Sequence, residues 1–311
     1  MFDQICAVVV TFNRKQLLLR CLDAILNQSI KPSHFIVVDN ASNDGTEQAL
    51  ASHGFLHRKD FTYYRLEVNL GGAGGFHYGV KLADKRGYSF CWLMDDDGFP
   101  SQQCLEKLLT YKESYDFFGP LVLDEENHNK LCFPMRLPGK LRILRSVKDV
   151  YDYAVNGILK DVVTPFNGIV LNLAIVHSVG LPKKEFFIWG DDIEYLQRIL
   201  RAKGRVATVC DAVFHHPTDQ NLGESMVFGL LHFNDTDSAL KLYCLCRNNV
   251  ANLLEYKGKI SALIFIAKCF WFYLFTKPSI KKLALSFKAI CHGLSGNFSY
   301  HKVILNGCRT L

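Results

Sequence analysis

Four short apolar runs, separated by helix-patterned segments and each ended by polar residues, set the strongest limit on how this chain folds. Ile5–Val10, Phe35–Val38, Tyr63–Leu66 and Phe90–Met94 read as successive strands. After the first, Leu18, Cys21, Leu22 and Ile25 fall at helical spacing, with Asn13 as a candidate cap. Ser42-Asn43-Asp44-Gly45 is a turn, and Thr46 opens a second helix. His77–Arg86 forms a third helix behind a glycine loop, Gly71 to Gly75. This ordered β-α-β-α run predicts an α/β fold with a doubly wound, mostly parallel sheet. Further along, Val162–Leu173 and Arg205–Cys210 read as strands and Ile193–Ala202 as a helix. From about Asp237 the pattern is helical. We therefore expect a catalytic-type domain over 1–235 and a helical region over 236–311.

Open sheets of this class bind ligands outside the carboxyl ends of their strands. The polar residues of this chain collect there: Thr11 and Asn13, Asp39 and Asn40, Asn69 with its glycines, and Asp95-Asp96-Asp97. Three consecutive carboxylates after a buried strand repel one another strongly. A divalent cation on a phosphorylated ligand is their usual partner. The glycine loop does not match GxGxxG, but glycine lets backbone approach a ligand closely. A second acidic pair, Asp191-Asp192, stands at a helix start, where Asp191 and Glu194 have the spacing of a capping box. His215-His216 follow; in an extended segment only one of them faces a given side, and His215 is the one expected toward the acidic triplet.

Charge is unevenly spread. The net charge is +6, yet Tyr256 to Leu311 holds nine Lys or Arg and no Asp or Glu, so the rest is mildly acidic. Within that basic stretch, Ile260–Thr276 is apolar except for Ser261, Lys268 and Thr276, and Lys257, Lys259, Lys277, Lys281 and Lys282 flank it. A second amphipathic stretch, Leu283–Ile290, follows Pro278. These features predict a peripheral segment on an anionic membrane surface; a cap on the core or on a second subunit, as a homo-oligomer would use, is the rival. The aromatics sit in one apolar run and do not interleave with the cations, which argues against nucleic acid. Eleven cysteines at irregular spacing offer neither a zinc ribbon nor a CxxC pair. They predict a reduced, cytoplasmic setting, and Met1 to Gln4 run directly into the first strand with no signal-peptide pattern.

The motifs VVVTFNR (8–14), VVDNASNDGT (37–46), NLGGAGGF (69–76) and WLMDDDGFP (92–100), with the acidic pair before Ile193-Glu194-Tyr195, resemble inverting glycosyltransferases of family 2. The likeness covers roughly residues 5–255 and is greatest to bacterial galactofuranosyltransferases and some rhamnosyltransferases. It implies a GT-A fold, a Mn²⁺ or Mg²⁺ cofactor, and transfer from UDP-galactofuranose, or alternatively dTDP-L-rhamnose, to a saccharide or lipid-linked glycan in cell-surface polysaccharide synthesis, such as O-antigen, at the inner face of the membrane. By the same resemblance Thr11, Asn13, Arg14, Asp39, Asn40, Asn69, Gly71, Gly72, Asp96 and Trp189 bind the nucleotide or the substrate. Asp95, Asp97 and His215 hold the metal, and Asp192, or its neighbour Asp191, is the base. Where many relatives carry Glu-Asp, this chain has Asp191-Asp192. The chemistry suits these residue types, because a leaving diphosphate needs a Lewis acid and a sugar hydroxyl needs a base. A nucleotidyltransferase would want more cations near the first strand than Arg14. A nucleotide-sugar-binding module without catalysis would bind donor and transfer nothing.

Overall fold

The computed structural model describes residues 4–140, 142–218, 223–227, 229 and 231–307; Met1–Asp3 and Arg309 of the basic stretch lie outside them. The chain forms two compact units, residues 1–182 with 195–218, and residues 183–194 with 219–311.

The first unit opens with β1 (Ile5–Thr11), α1 (Lys15–Leu26), β2 (His34–Asp39), α2 (Thr46–Ser52), β3 (Phe61–Arg65), α3 (Gly71–Lys85) and β4 (Phe90–Asp95). It continues through β5 (Phe99–Pro100), α4 (Cys104–Leu109), β6 (Phe117–Asp124), β7 (Lys130–Arg136), β8 (Ile143–Ser146), α5 (Val147–Tyr151), β9 (Ile158–Lys160), β10 (Asn167–Asn172) and α6 (Leu173–Val179). Last come α7 (Asp191–Arg201), whose first four residues belong to the second unit, and β11 (Val206–His216). The main sheet runs β3-β2-β1-β4-β10-β6-β11-β5. β1 to β4 are mutually parallel, as are β6 and β11, while β10 enters antiparallel between β4 and β6. The strand expected over 162–173 is therefore shorter, starting only at Asn167.

Alternation along the strands divides the core in two. Ala7, Val9, Val37 and Trp92 pack with Leu18 and Leu22 of α1, whereas Val8, Val10, Val38 and Leu93 pack with Phe76 and Val80 of α3. In-register pairing sets Thr11 beside Asp39 and Val10 beside Asp95, so the carboxyl ends of β1, β2 and β4 finish level. β11 carries an irregularity: Val209 pairs with Pro120 and Val213 with the next residue, Leu121. Residues 210–212 form the bulge, where β11 changes its outer neighbour from β9 to β5.

Two sequence expectations are corrected. Asn13 does not cap α1: its φ is 54°, its side chain accepts from Asn43 N–H at 2.8 Å, and Lys15 N–H at the helix start goes to Asp44 Oδ2 at 3.1 Å. Nor are Gly71–Gly75 a loop; they are the first turns of α3. Glycine disfavours helix by roughly 1 kcal/mol per residue relative to alanine, but here backbone proximity wins. A Cβ on Gly75 would lie 2.3 Å from Val10 Cγ1, and one on Gly79 would lie 2.3 Å from Val8 Cγ1.

In the second unit, β12 (Glu224–Met226) and β13 (Leu231–Phe233) form a hairpin, followed by α8 (Ala239–Tyr256) and α9 (Lys259–Trp271). A π-helical turn over Phe272–Thr276 continues α9, and α10 (Ile280–Ser295) and α11 (His301–Gly307) complete it. Its core gathers Phe187, Phe233, Tyr243, Cys246, Cys269, Phe272 and Ile290. Asp235 is nearly buried between Lys277 at 2.8 Å and Lys282 at 3.0 Å. The ten cysteines among the described residues are free thiols, nine of them buried.

The close approach of α3 to β1 makes a direct prediction. Gly75→Ala should lower stability by roughly 1–3 kcal/mol through overpacking. Gly72→Ala, with open space around its Cβ, should be neutral or gain up to about 1 kcal/mol from helix propensity. Urea unfolding midpoints of the two variants decide; equal midpoints would refute the packing account.

Candidate functional site

Level strand ends bring the acidic triplet onto β1. Thr11 Oγ1 donates to Asp96 Oδ2 at 2.6 Å, and Arg14 Nη1 reaches Asp96 Oδ1 at 3.3 Å and Asp97 Oδ2 at 2.6 Å. His216 Nε2 stands 3.1 Å from Asp97 Oδ1, within ion-pair distance but outside hydrogen-bond geometry, so that oxygen is buried without a directional donor. The two adjacent carboxyls are thereby driven apart. Burial lifts Asp96 to about 6 against the pull of Thr11 and Arg14. Asp97 is also desolvated, but His216 and Arg14 bring it down to about 2. Burial opposes protonation of His216, yet Asp97 raises it to about 10. Asp97 is thus a carboxylate between two cations at neutral pH.

The imidazole that meets Asp97 is therefore His216, where the sequence pointed to His215. Cross-strand pairing explains the exchange. His215 lies opposite Phe99 of β5 and stacks on that ring with centroids 5.1 Å apart, and the His128 ring is 4.7 Å away on another side. Its Nδ1 is buried without a hydrogen-bond partner, and burial with the nearby His128 lowers its basicity. The other nitrogen of His216, Nδ1, is 3.4 Å from Cys132 Sγ and 2.8 Å from Pro217 O.

At the next strand end Asp39 is fully buried. Oδ1 accepts Ser42 N–H at 2.8 Å and Oδ2 accepts the Tyr63 hydroxyl at 2.5 Å, which with burial raises the Tyr63 phenol. Arg65 donates to Ser42 O at 3.1 Å. Asn13 N–H donates to Ser42 Oγ at 2.8 Å, and Asp44 binds Thr46 through N–H and hydroxyl. Ser42, Asn43, Thr46, Glu47, Tyr63 and Arg65 line an open hollow of about 350 Å³. Asn40 Oδ1 accepts Leu70 N–H and Asn69 Oδ1 accepts Gly71 N–H, so both asparagines hold the entrance to α3, beside Gly72. Tyr63, Arg65 and Cys132 carry no motif signal. Only the strand register, which sets Asp39 opposite Arg65, reveals the β3 pair.

The second acidic pair belongs to the other unit. Phe187, Trp189 and Gly190 have φ of 69°, 61° and 93°, a left-handed approach to α7 that favours glycine throughout, yet glycine occupies only one of the three positions. Asp191 is buried and Asp192 half-buried. Burial raises both carboxyls above the ordinary range, Asp191 further by the charge of Asp192. Asp192 Oδ1 accepts Ile193 N–H at 2.7 Å. Glu194, fully buried, is matched by Lys183 at 3.0 Å and the Tyr256 hydroxyl at 2.7 Å.

Known proteins resemble this arrangement. The Glycosyl transferase family 2 model matches residues 6–158. Galactofuranosyltransferase GlfT1 of Mycolicibacterium smegmatis is 32% identical over 250 residues, covering 79% of this chain and 82% of the relative. Its namesake from Mycobacterium tuberculosis is 30% identical over 289 residues, 91% and 93% of the two chains. Among solved structures, S. aureus TarS in complex with UDP-GlcNAc superposes with a TM-score of 0.56 at 12% identity, covering 98% of this chain and 91% of that one. GalNAc-T7 with UDP, GalNAc and Mn²⁺ gives a TM-score of 0.58 at 12% identity, with 93% of this chain matched to 55% of that chain. The chain belongs to glycosyltransferase family 2, a hexosyltransferase on a GT-A-type α/β sheet.

Proposed function

We propose that the enzyme transfers galactofuranose from UDP-galactofuranose to a glycan or lipid-linked acceptor, with inversion at the anomeric carbon. The observation that carries the donor is the likeness, over most of the chain, to relatives named as galactofuranosyltransferases. The hollow beside Asp39, lined by Tyr63 and Arg65, suits a nucleobase, with Asn13, Asn40 and Asn69 shaping its surroundings. Asp96, held near 6 by burial and bonded to Thr11, suits a neighbour of the ribose or the sugar.

The residues at the triplet fit a hard divalent cation, Mn²⁺ or Mg²⁺. Asp97 is ionised with an unbonded buried oxygen, and one histidine, His216, stands against it, while the adjacent His215, on the Phe99 ring, carries a bare nitrogen. Among the described residues no three such groups sit close enough to hold an ion alone, and oxygens of the donor diphosphate would complete the shell. Asp95, Asp97 and an imidazole of the 215–216 pair, His216 only after releasing its proton, would hold the ion, which would supply Lewis-acid stabilisation of the departing UDP. Arg14, now paired with Asp97, can turn to the diphosphate as charge develops there. Asp192 removes the acceptor hydroxyl proton as that oxygen attacks, with Asp191 the alternative base and Trp189 beside the acceptor.

We further infer a cytoplasmic setting at the inner membrane face. Among the described residues one helical segment, Lys259–Thr276, is long and apolar enough to cross a membrane. Its outward residues Ile260, Leu263, Ile264, Ala267, Trp271, Leu274 and Phe275 are all exposed and apolar, with Ile260 at 76%. Exposed lysines 257, 259, 277 and 281 border that stripe. Lys277 is paired with Glu224 and Asp235, while Lys257, Lys259 and Lys281 at the ends of the stripe favour anionic lipid, at roughly 1 kcal/mol per cation.

Asp192→Asn should slow UDP release from UDP-galactofuranose by about 10²–10⁴-fold while UDP still stabilises the protein thermally. Near-normal release moves the base to Asp191. Because its pKa is raised, the wild-type rate should fall as pH drops through a point above the ordinary aspartate range, and rate-pH profiles check this. A thermal-shift panel of UDP, UDP-galactofuranose, UDP-galactopyranose and dTDP-rhamnose, with and without Mn²⁺, tests the donor. A response to dTDP-rhamnose alone would transfer the assignment to rhamnose, and binding without turnover would leave a sugar-nucleotide-binding module. Flotation with anionic liposomes at low salt should carry wild-type protein up and leave Leu263→Glu/Phe275→Glu at the bottom. Wild-type protein remaining at the bottom would overturn the membrane reading.

A further inference from the structure

The approach to α7 satisfies its carbonyls only in part through its own backbone, with Ile188 N–H on Phe186 O at 2.8 Å and Glu194 N–H on Gly190 O at 3.0 Å, and one face of α8 supplies further donors. Arg247 and Asn248 are fully buried. Arg247 Nη2 donates to Phe186 O at 2.7 Å and Glu185 O at 3.3 Å. Its Nη1 serves Phe298 O at 3.3 Å and His301 Nδ1 at 3.1 Å, and its Nε donates to Asn248 Oδ1 at 2.9 Å. All five guanidinium N–H groups thus have a partner, and no carboxylate is among them. The Nε bond also fixes the Asn248 amide, because it commits the oxygen to Arg247 and turns the nitrogen toward the loop. Asn248 Nδ2 then meets Phe186 O at 3.0 Å, Ile188 O at 3.0 Å and Trp189 O at 2.6 Å. One turn on, Asn252 Nδ2 donates to Gly190 O at 2.8 Å. Five carbonyls in the six residues before Asp191 are therefore held by three side chains of one helix.

Phe186 and Phe187 are buried, so part of this bonding meets the ordinary need of buried carbonyls for donors. A surface loop satisfies its carbonyls with water, whereas this one buries a guanidinium, whose desolvation lowers its basicity, to hold a path with three left-handed residues. Strain of that kind persists only where surroundings over-determine it, and it collects at functional sites. The next residues are the acidic pair. A Cβ on Gly190 would lie 3.2 Å from Asn248 Cβ, so the loop and α8 are also in steric contact.

We propose that Arg247, Asn248 and Asn252 are positioning residues: they clamp the carbonyls of residues 185–190 and so fix the direction in which Asp192 leaves the first turn of α7. This rests on Asp192 as the base. The clamp acts on the carbonyl side of each peptide, so it sets the orientation of the following N–H and Cα without touching the carboxylate. General-base catalysis depends steeply on such placement, since small misplacements of a reacting group lose up to about 10²-fold.

The test is a double-mutant cycle on the full chain, with UDP release from UDP-galactofuranose as the rate and UDP thermal shift as the check on folding. Asn252→Ala, which removes one bond from the rim of the clamp, should reduce kcat by about 10–100-fold with the donor KM within twofold. In an Asp192→Asn background the same change should have no further effect, because the base it positions is gone. Asn248→Ser is run in parallel, so a folding defect in one variant does not stop the reading. An equal loss in both backgrounds, or a rise in KM at constant kcat, overturns the positioning role and leaves the base assignment standing. Near-normal release by Asp192→Asn alone overturns both.

Discussion

Everything at the cleft depends on β1, β2 and β4 ending at the same height. Parallel pairing fixes Thr11 against Asp39 and Val10 against Asp95, so the first residue beyond β4, Asp96, falls beside the Thr11 hydroxyl. That register is itself enforced by burial on both faces, since a slip of one residue would exchange the two core layers. The glycines of α3 belong to the same constraint. They bring the helix onto Val8 and Val10 so closely that no side chain fits between, and the asparagines at the ends of β2 and β3 then hold its first turn.

Charge placement follows from this geometry. Two neighbouring carboxyls, alike in sequence, acquire opposite tendencies: Asp96, more deeply buried, has the Thr11 hydroxyl and a longer contact to Arg14, while Asp97 lies between that guanidinium at 2.6 Å and an imidazole. One is pushed toward the protonated form and the other is kept charged. Separating paired groups in this way is how one site can offer a hydrogen-bond partner and an ion ligand side by side. The second unit uses a different means. Its acidic pair is desolvated at a helix start and approached by strained backbone, with a buried Arg–Asn–Asn face supplying the missing donors.

Strand and helix order, the mostly parallel sheet and the collection of polar residues at strand ends were legible in the sequence, because hydrophobic period and strand-end chemistry are local signals. The length of α3 was not. Glycine propensity points away from helix, and only the tertiary approach to Val8 and Val10 reverses it. Asn13 has the composition of a cap but spends its oxygen on Asn43, a residue thirty positions away. Tyr63 and Arg65 look like any β-strand residues until the register sets them at Asp39. Arg247, Asn248 and Asn252 lie at helical spacing with no motif around them, and their role appears only once the loop carbonyls are seen.

The bulge in β11 gives the paired histidines a further meaning. Side chains on a strand alternate, so inserting one residue between Val209 and His215 would move the following segment one place along and turn it over. In most strands such a change would take a functional group out of its site. Here it would exchange one imidazole for the other at Asp97, because His215 directly precedes His216, and His215 now rests on the Phe99 ring. A doubled side chain beside the bulge therefore keeps an imidazole at Asp97 through a one-residue insertion at this edge.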